Sequence, residues 1–127
     1  MTDNTGYTRA EAKLCVLPGW HKLIDKAYDL FDQYPDIIIS TVKQKYGSLR
    51  INFHWPDEYY DPDNSKYDTI SQANDDLFSA LNNLDDVSCH TCELCGQTGK
   101  WCEVRGWQYT LCQTCQIKLE QEHDYND

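Results

Sequence analysis

Residues 92–115 read CELCGQTGKWCEVRGWQYTLCQTC, and this stretch sets the reading of the whole chain. It holds two Cys-x-x-Cys pairs, Cys92 with Cys95 and Cys112 with Cys115, separated by sixteen residues. Within each pair two thiolates can converge on one ion from a tight turn, and two pairs complete a tetrahedron. The separation lies in the range of four-cysteine zinc sites. Gly96 follows Cys95, as a knuckle turn requires where backbone amides face the sulfurs. Lys100–Val104 and Trp107–Leu111 read as two strands joined at Arg105-Gly106. Cys112 and Cys115 then stand at the entrance to a helix, QTCQIKLEQEH, whose N-terminal dipole favours thiolates. Knuckle, hairpin and helix in this order predict a treble-clef-like module around one structural Zn2+, held by Cys92, Cys95, Cys112 and Cys115.

The chain has seven cysteines, an odd number, and six fall in its last third. That count argues against a disulfide framework and for metal binding. Cys15 stands alone and is expected in the core, and Cys102 is expected inside the zinc hairpin. Cys89 and His90 lie near enough to the knuckle to compete as ligands. Four thiolates leave no open coordination position, and no HExxH or H-x-E motif accompanies the pairs. The expectation is therefore no enzyme. His54 with Asp57, Glu58 and Asp61 offers donors for a second metal, although a solvated acidic loop is the simpler reading. Cys15 and His21 have no activating context for a thiol dyad.

Outward from the cysteines the pattern changes. PGWHKLIDKAYDLFDQYP, residues 18–35, repeats apolar residues at three- and four-residue steps: Trp20, Leu23, Ile24, Ala27, Leu30, Phe31, Tyr34. It predicts an amphipathic helix ended by Pro35. The β-branched run 37–42 predicts a strand, and Leu49, Ile51, Phe53 and Trp55 alternate with polar residues after Tyr46-Gly47, predicting the second strand of a hairpin. Residues 56–68, PDEYYDPDNSKYD, read as a loop. A second helix is predicted over 68–84 from Ile70, Ala73, Leu77, Ala80, Leu81 and Leu84. The fold class is α+β: N-terminal helix, β-hairpin and second helix over residues 1–87, with the zinc module over 88–127, packed as one unit.

Net charge is −10, unevenly spread. Residues 1–55 carry seven basic and six acidic side chains, whereas residues 56–127 carry four basic and fifteen acidic. Zinc on four thiolates would bring the loaded protein to about −12, further from what a phosphate backbone tolerates. No stretch approaches a membrane span of about 20 apolar residues. The opening residues have neither the basic nor the apolar region of a secretory signal, so a cytoplasmic protein is expected. Asp57, Glu58, Asp61, Asp63, Asp75, Asp76, Asp85 and Asp86 form the candidate partner surface, suited to a protein with a basic face. The alternative is nucleic-acid binding through Lys43, Lys45 and Arg50 beside Tyr46, His54 and Trp55, extended by Lys100, Arg105 and Trp107. Trp55 falls on the apolar side of its strand, where core packing is expected.

Three motifs carry a resemblance: Gly19-Trp20-x-x-Leu23-Ile24-Asp25, Val42-Lys43-x-Lys45-Tyr46-Gly47-Ser48-Leu49-Arg50, and Cys92-Glu93-x-Cys95-Gly96-x-x-Gly99 with Gly106-Trp107 and Thr110-Leu111-Cys112. Together, across most of residues 18–115, the chain resembles a family of small zinc-finger proteins encoded by phages, prophages and other bacterial mobile elements. The last ligand of that pattern is often His, and Cys115 stands here. The resemblance implies a bacterial host and a mobile-element setting; the acidic surface and the zinc module, taken with that setting, make an inhibitor of a host nucleic-acid or defence machine the expected role. It implies no particular biochemical activity.

Overall fold

Thr8 opens the first helix by a capping box. Its hydroxyl accepts from the Glu11 amide while the Glu11 carboxylate accepts from the Thr8 amide. That helix, α1 (Arg9–Leu14), was not expected from the sequence, because it is short and buries only Ala12. The computed structural model describes residues 6–125. A 3-10 turn, Pro18–Trp20, leads into α2 (His21–Phe31), so the amphipathic stretch is a turn plus a helix rather than one helix from Pro18. Proline and glycine at 18 and 19 hold the first turn tight. The predicted apolar stripe is the buried one: Trp20, Leu23, Ile24, Ala27 and Phe31 all face inward.

β1 (Ile38–Lys45) and β2 (Ser48–His54) pair antiparallel with an irregularity at Ser40. Their two-residue turn holds Tyr46 and Gly47 at φ 55 and 82, the left-handed pair that matches the twist of the strands. Leu49, Phe53 and Trp55 face the core side, as alternation predicts. The indole N–H of buried Trp55 donates to Asn74 at 2.7 Å, so this ring is a core residue and unavailable for stacking. The acidic loop contains a 3-10 turn, Asp57–Tyr60, before α3 (Tyr67–Ser88). α3 runs past Leu84 and places Asp85 and Asp86 in its last turn. Ile70, Ala73, Leu77 and Leu84 close the core against α2 and β2. Burying side chains such as Trp20, Ile24 and Leu77 stabilises by about 2 kcal/mol each.

Arg9 ties α1 to α2 by reaching Asp25, Asp29 and Asp32 at 2.9–3.1 Å, and Lys13 meets Asp25 at 2.9 Å. Cys15, expected in the core, is exposed. Its amide closes α1 on the Ala12 carbonyl, and its thiol donates back to the exposed Glu11 carbonyl at 3.4 Å instead of joining Ala12, the single buried residue of that helix.

β3 (Lys100–Val104) and β4 (Trp107–Leu111) form the second hairpin, followed by α4 (Gln113–Tyr125). Arg105 and Gly106 repeat the turn of the first hairpin, with φ 51 and 84. The architecture is α+β with a C-terminal cysteine cluster.

Candidate metal centre

The segment before the first pair folds back on itself. Thr91 bridges Thr98, the Cys92 amide donates to the Gln97 carbonyl, and the Gly96 amide returns to the Cys92 carbonyl. Gly96, at φ 84, makes this knuckle possible. The second pair arrives from the end of β4 and the first turn of α4, where the Cys115 amide donates to the Cys112 sulfur at 3.4 Å.

The thiols of Cys92, Cys95, Cys112 and Cys115 lie within 4.8 Å of one another, and those of Cys95 and Cys112 are 3.7 Å apart. Metal–sulfur bonds of about 2.3 Å in a tetrahedron put sulfurs about 3.8 Å apart. The spacing therefore fits a four-sulfur site for a metal ion such as zinc. Burial opposes ionisation of Cys92, but the amides of Cys112, Cys95 and Leu94 outweigh it and bring the thiol down to about 7. Cys115 is pushed up, by burial first and then by the neighbouring thiols. The Cys92 thiolate is readily formed while Cys95 and Cys115 are held up, a contrast that a bound cation would relieve by gathering the negative charge.

The other candidate ligands stay outside. Cys89 caps α3, His90 is exposed and its carbonyl accepts from Gly99, and Cys102 packs opposite Tyr109 in the module's small core. Among the described residues no other group of three or more His, Cys, Asp or Glu side chains converges, so His54, Asp57, Glu58 and Asp61 do not form a second site. His21 Nε2 is taken up by the Lys13 carbonyl.

The module docks on the rest of the chain through a polar joint that sequence reasoning missed. Glu93, between the first two cysteines, is only 2 % exposed. Its Oε2 accepts from the Thr110 amide at 2.7 Å and from Gln44 Nε2 at 3.1 Å. Burial pushes its carboxyl above the usual range, against the pull of those two donors. Gln44 also donates to the Gln108 carbonyl, and Thr110 Oγ1 donates to the Gly47 carbonyl at 2.6 Å. Gly19 donates to the Glu93 carbonyl at 2.6 Å, and the Trp20 indole donates to the Thr91 carbonyl at 2.8 Å. A Cβ on Gly19 would fall 2.1 Å from the Cys92 carbonyl oxygen, so only glycine lets the backbones approach this closely. The three motifs quoted from the sequence thus meet in space.

The acidic candidates divide. Asp57 and Glu58 are exposed on the 3-10 turn, Asp61 and Asp63 on the bends after it, and Asp75, Asp76 and Asp86 along α3. None of these makes an ion pair among the described residues. Asp85 does: it is half-buried and pairs with Arg50 at 3.6 Å. That contact removes one member from each of the two candidate surfaces. Lys43 and Lys45 remain exposed, and with Tyr46 they line a groove of about 370 Å3 whose far wall is Gly106, Trp107 and Gln108. No helix among the described residues is long and apolar enough to cross a membrane. Compared with known proteins, the chain matches no family model, no curated protein and no solved structure.

Proposed function

We propose that this is a zinc-structured, non-enzymatic interaction protein that docks its acidic surface on a basic face of another protein. The observation that carries the reading is the uneven use of charge. Asp25, Asp29 and Asp32 are ion-paired within the fold to Arg9 and Lys13, whereas Asp57, Glu58, Asp61, Asp63, Asp75, Asp76 and Asp86 stand exposed without an ion pair among the described residues. Fields of this kind speed association with cationic partners and reject anionic ones. The ion is taken to be Zn2+, which four thiolates at tetrahedral spacing suit, with no position left for water or substrate. With the resemblance to mobile-element zinc fingers, the natural role is a cytoplasmic inhibitor of a nucleic-acid-processing or defence complex in a bacterial host.

The test is capture of partners from bacterial lysate by the tagged, zinc-loaded protein, with and without nuclease, at low and moderate salt. A stoichiometric protein that survives nuclease and is lost with Asp75→Lys/Asp76→Lys supports the reading. Recovery of nucleic acid, or of partners lost on nuclease treatment, overturns it.

A second reading, direct nucleic-acid binding, draws on one observation. Tyr46 occupies a left-handed position that favours Gly or Asn, yet it stands 65 % exposed beside Lys45 and shares a groove with Trp107. Two lysines and two rings suit a short single strand. Binding through them would fall with salt at a slope of about 1–2 phosphates.

A further inference from the structure

We infer that the outer edge of β2 takes up an extended, basic segment of the partner as a third strand. The inference rests on the acidic-docking reading and names the surface that does the docking.

The first sheet has only two strands, β1 and β2. With a two-residue turn, Lys45 and Ser48 form the hydrogen-bonded pair nearest the turn, and pairs alternate from there. Leu49 and Ile51 therefore point their amides and carbonyls away from β1. The Leu49 amide shows the direction, since it donates to the Ser88 hydroxyl of α3 at 2.8 Å. Ile51 lies two residues along the same edge, and among the described residues no group outside β1 hydrogen-bonds to it. An edge of this kind is a template for another chain unless something covers it.

Beside that edge lies a groove of about 250 Å3, walled by residues 49–53 of β2 and by Phe78, Asn82 and Asp85 of α3. Phe78 is 56 % exposed, an unusual placing on a helix whose Ile70, Leu77 and Leu84 are inside. Its ring meets Phe53 edge-on at 5.0 Å, so a strand laid along β2 would cover it with one side chain. Asp75, one turn before Phe78, and Asp86, one turn after Asn82, are exposed and unpaired among the described residues. They are about 16 Å apart along the helix, against about 13 Å between strand residues four steps apart, a difference that long Lys and Arg side chains span. The complementary segment is a strand with an apolar residue at its centre and Lys or Arg two residues to either side, all three turned toward α3. Main-chain hydrogen bonds to Ile51 would supply affinity, and the alternate side chains would supply selection.

The test uses the full zinc-loaded chain and the fluorescent peptide Thr-Lys-Thr-Val-Thr-Arg-Thr, capped at both ends. Binding is read by polarisation, and hydrogen exchange of the Ile51 amide by NMR. The proposal expects saturable binding and slower exchange at Ile51. It expects at least tenfold weaker binding when alternate peptide nitrogens are methylated, and a similar loss in Phe78→Ser, an exposed change whose fold is checked by circular dichroism. No binding by the parent peptide overturns the proposal. So does equal binding of the methylated peptide with unchanged Ile51 exchange. In that second case, loss of binding with Glu in place of Lys and Arg keeps the acidic-docking reading alive, whereas indifference to that change removes both. Concentration-dependent self-association abolished by Phe78→Ser would give the edge to a second copy of this chain and overturn the proposal as well.

Discussion

The two halves of the molecule are built on different sources of stability. The N-terminal unit gathers sixteen buried apolar residues from α1, the 3-10 turn, α2, the first hairpin with its flanks, and α3, centred on Trp20, Ile24 and Leu77. The C-terminal module buries three, Cys92, Val104 and Leu111, and leaves Trp101, Trp107 and Ile117 exposed. Three residues bury far too little surface to order about thirty, at about 1–2 kcal/mol of backbone entropy each. The cysteine cluster has to make up the difference through bound metal, and the joint around Glu93 has to transmit it. A protein can therefore carry a short, polar, aromatic-studded surface that apolar burial alone would never fold.

The largest effect should come from removing the ion. Chelation, or Cys95→Ser or Cys112→Ser, should remove roughly 10 kcal/mol of metal-coupled folding energy and open residues 92–115 to hydrogen exchange. Amides of α2 and β2 should stay protected. Collapse of both halves together would break the comparison, and one zinc per chain retained in both serine variants would remove the four-cysteine assignment. Next is the joint. Gly19→Ala forces a Cβ against the Cys92 carbonyl and should cost about 3 kcal/mol in denaturant unfolding, with both halves affected.

Glu93→Gln leaves one neutral acceptor oxygen where the carboxylate serves two donors and adds an NH2 donor to a buried site, for a loss of about 1–3 kcal/mol. It also carries a pH signature. Because the Glu93 carboxyl is held above its usual range, its protonation stabilises the fold at low pH, and that contribution is lost as pH rises through the raised value. At saturating zinc, the stability lead of the parent over Glu93→Gln should be largest at the acid end and shrink as pH rises through the raised value. A flat difference would mean that the carboxyl titrates normally.

Arg9→Ala should cost about 1 kcal/mol or less, since its partners are largely exposed, and the cost should fade in salt. Lys13 first, and then Arg9, hold the Asp25 carboxyl below its ordinary value, so this network stabilises above the carboxylate range and is lost as pH falls through the lowered value. Smallest of all, Cys15→Ser should leave one zinc per chain and an unchanged melting temperature.

Much of this was legible in residue order. The cysteine spacing fixed the four thiols, Arg105-Gly106 fixed the second hairpin to the residue, and the alternation of Leu49, Ile51, Phe53 and Trp55 fixed the first. Periodicity reports one face of one element, so it could place Trp20 in a core but could not say that its indole would reach Thr91. α1 escaped because a six-residue helix with one buried position has no period to detect. Cys15 was misplaced because an isolated cysteine is usually buried, and only the closing turn of α1 decides otherwise. The Arg50–Asp85 pair was hidden because its members are thirty-five positions apart in the numbering. Nothing in residue order singled out Glu93 as buried, since net charge does not say which carboxylate a hairpin will cover.

The joint also bears on the order in which the chain is made. Synthesis runs from the N-terminus, and every residue of the apolar unit, through Leu84, precedes the first metal ligand, Cys92. Gly19, Gln44 and the Gly47 carbonyl can therefore be in position while Cys115 is still to be added. The knuckle emerges onto a surface already shaped for it, so the first cysteine pair is held and presented before the second pair arrives. A ribosome-tethered chain ending before Cys112 should already be compact in its first half, so a metal ion at the four thiols would enter only in the last act of assembly.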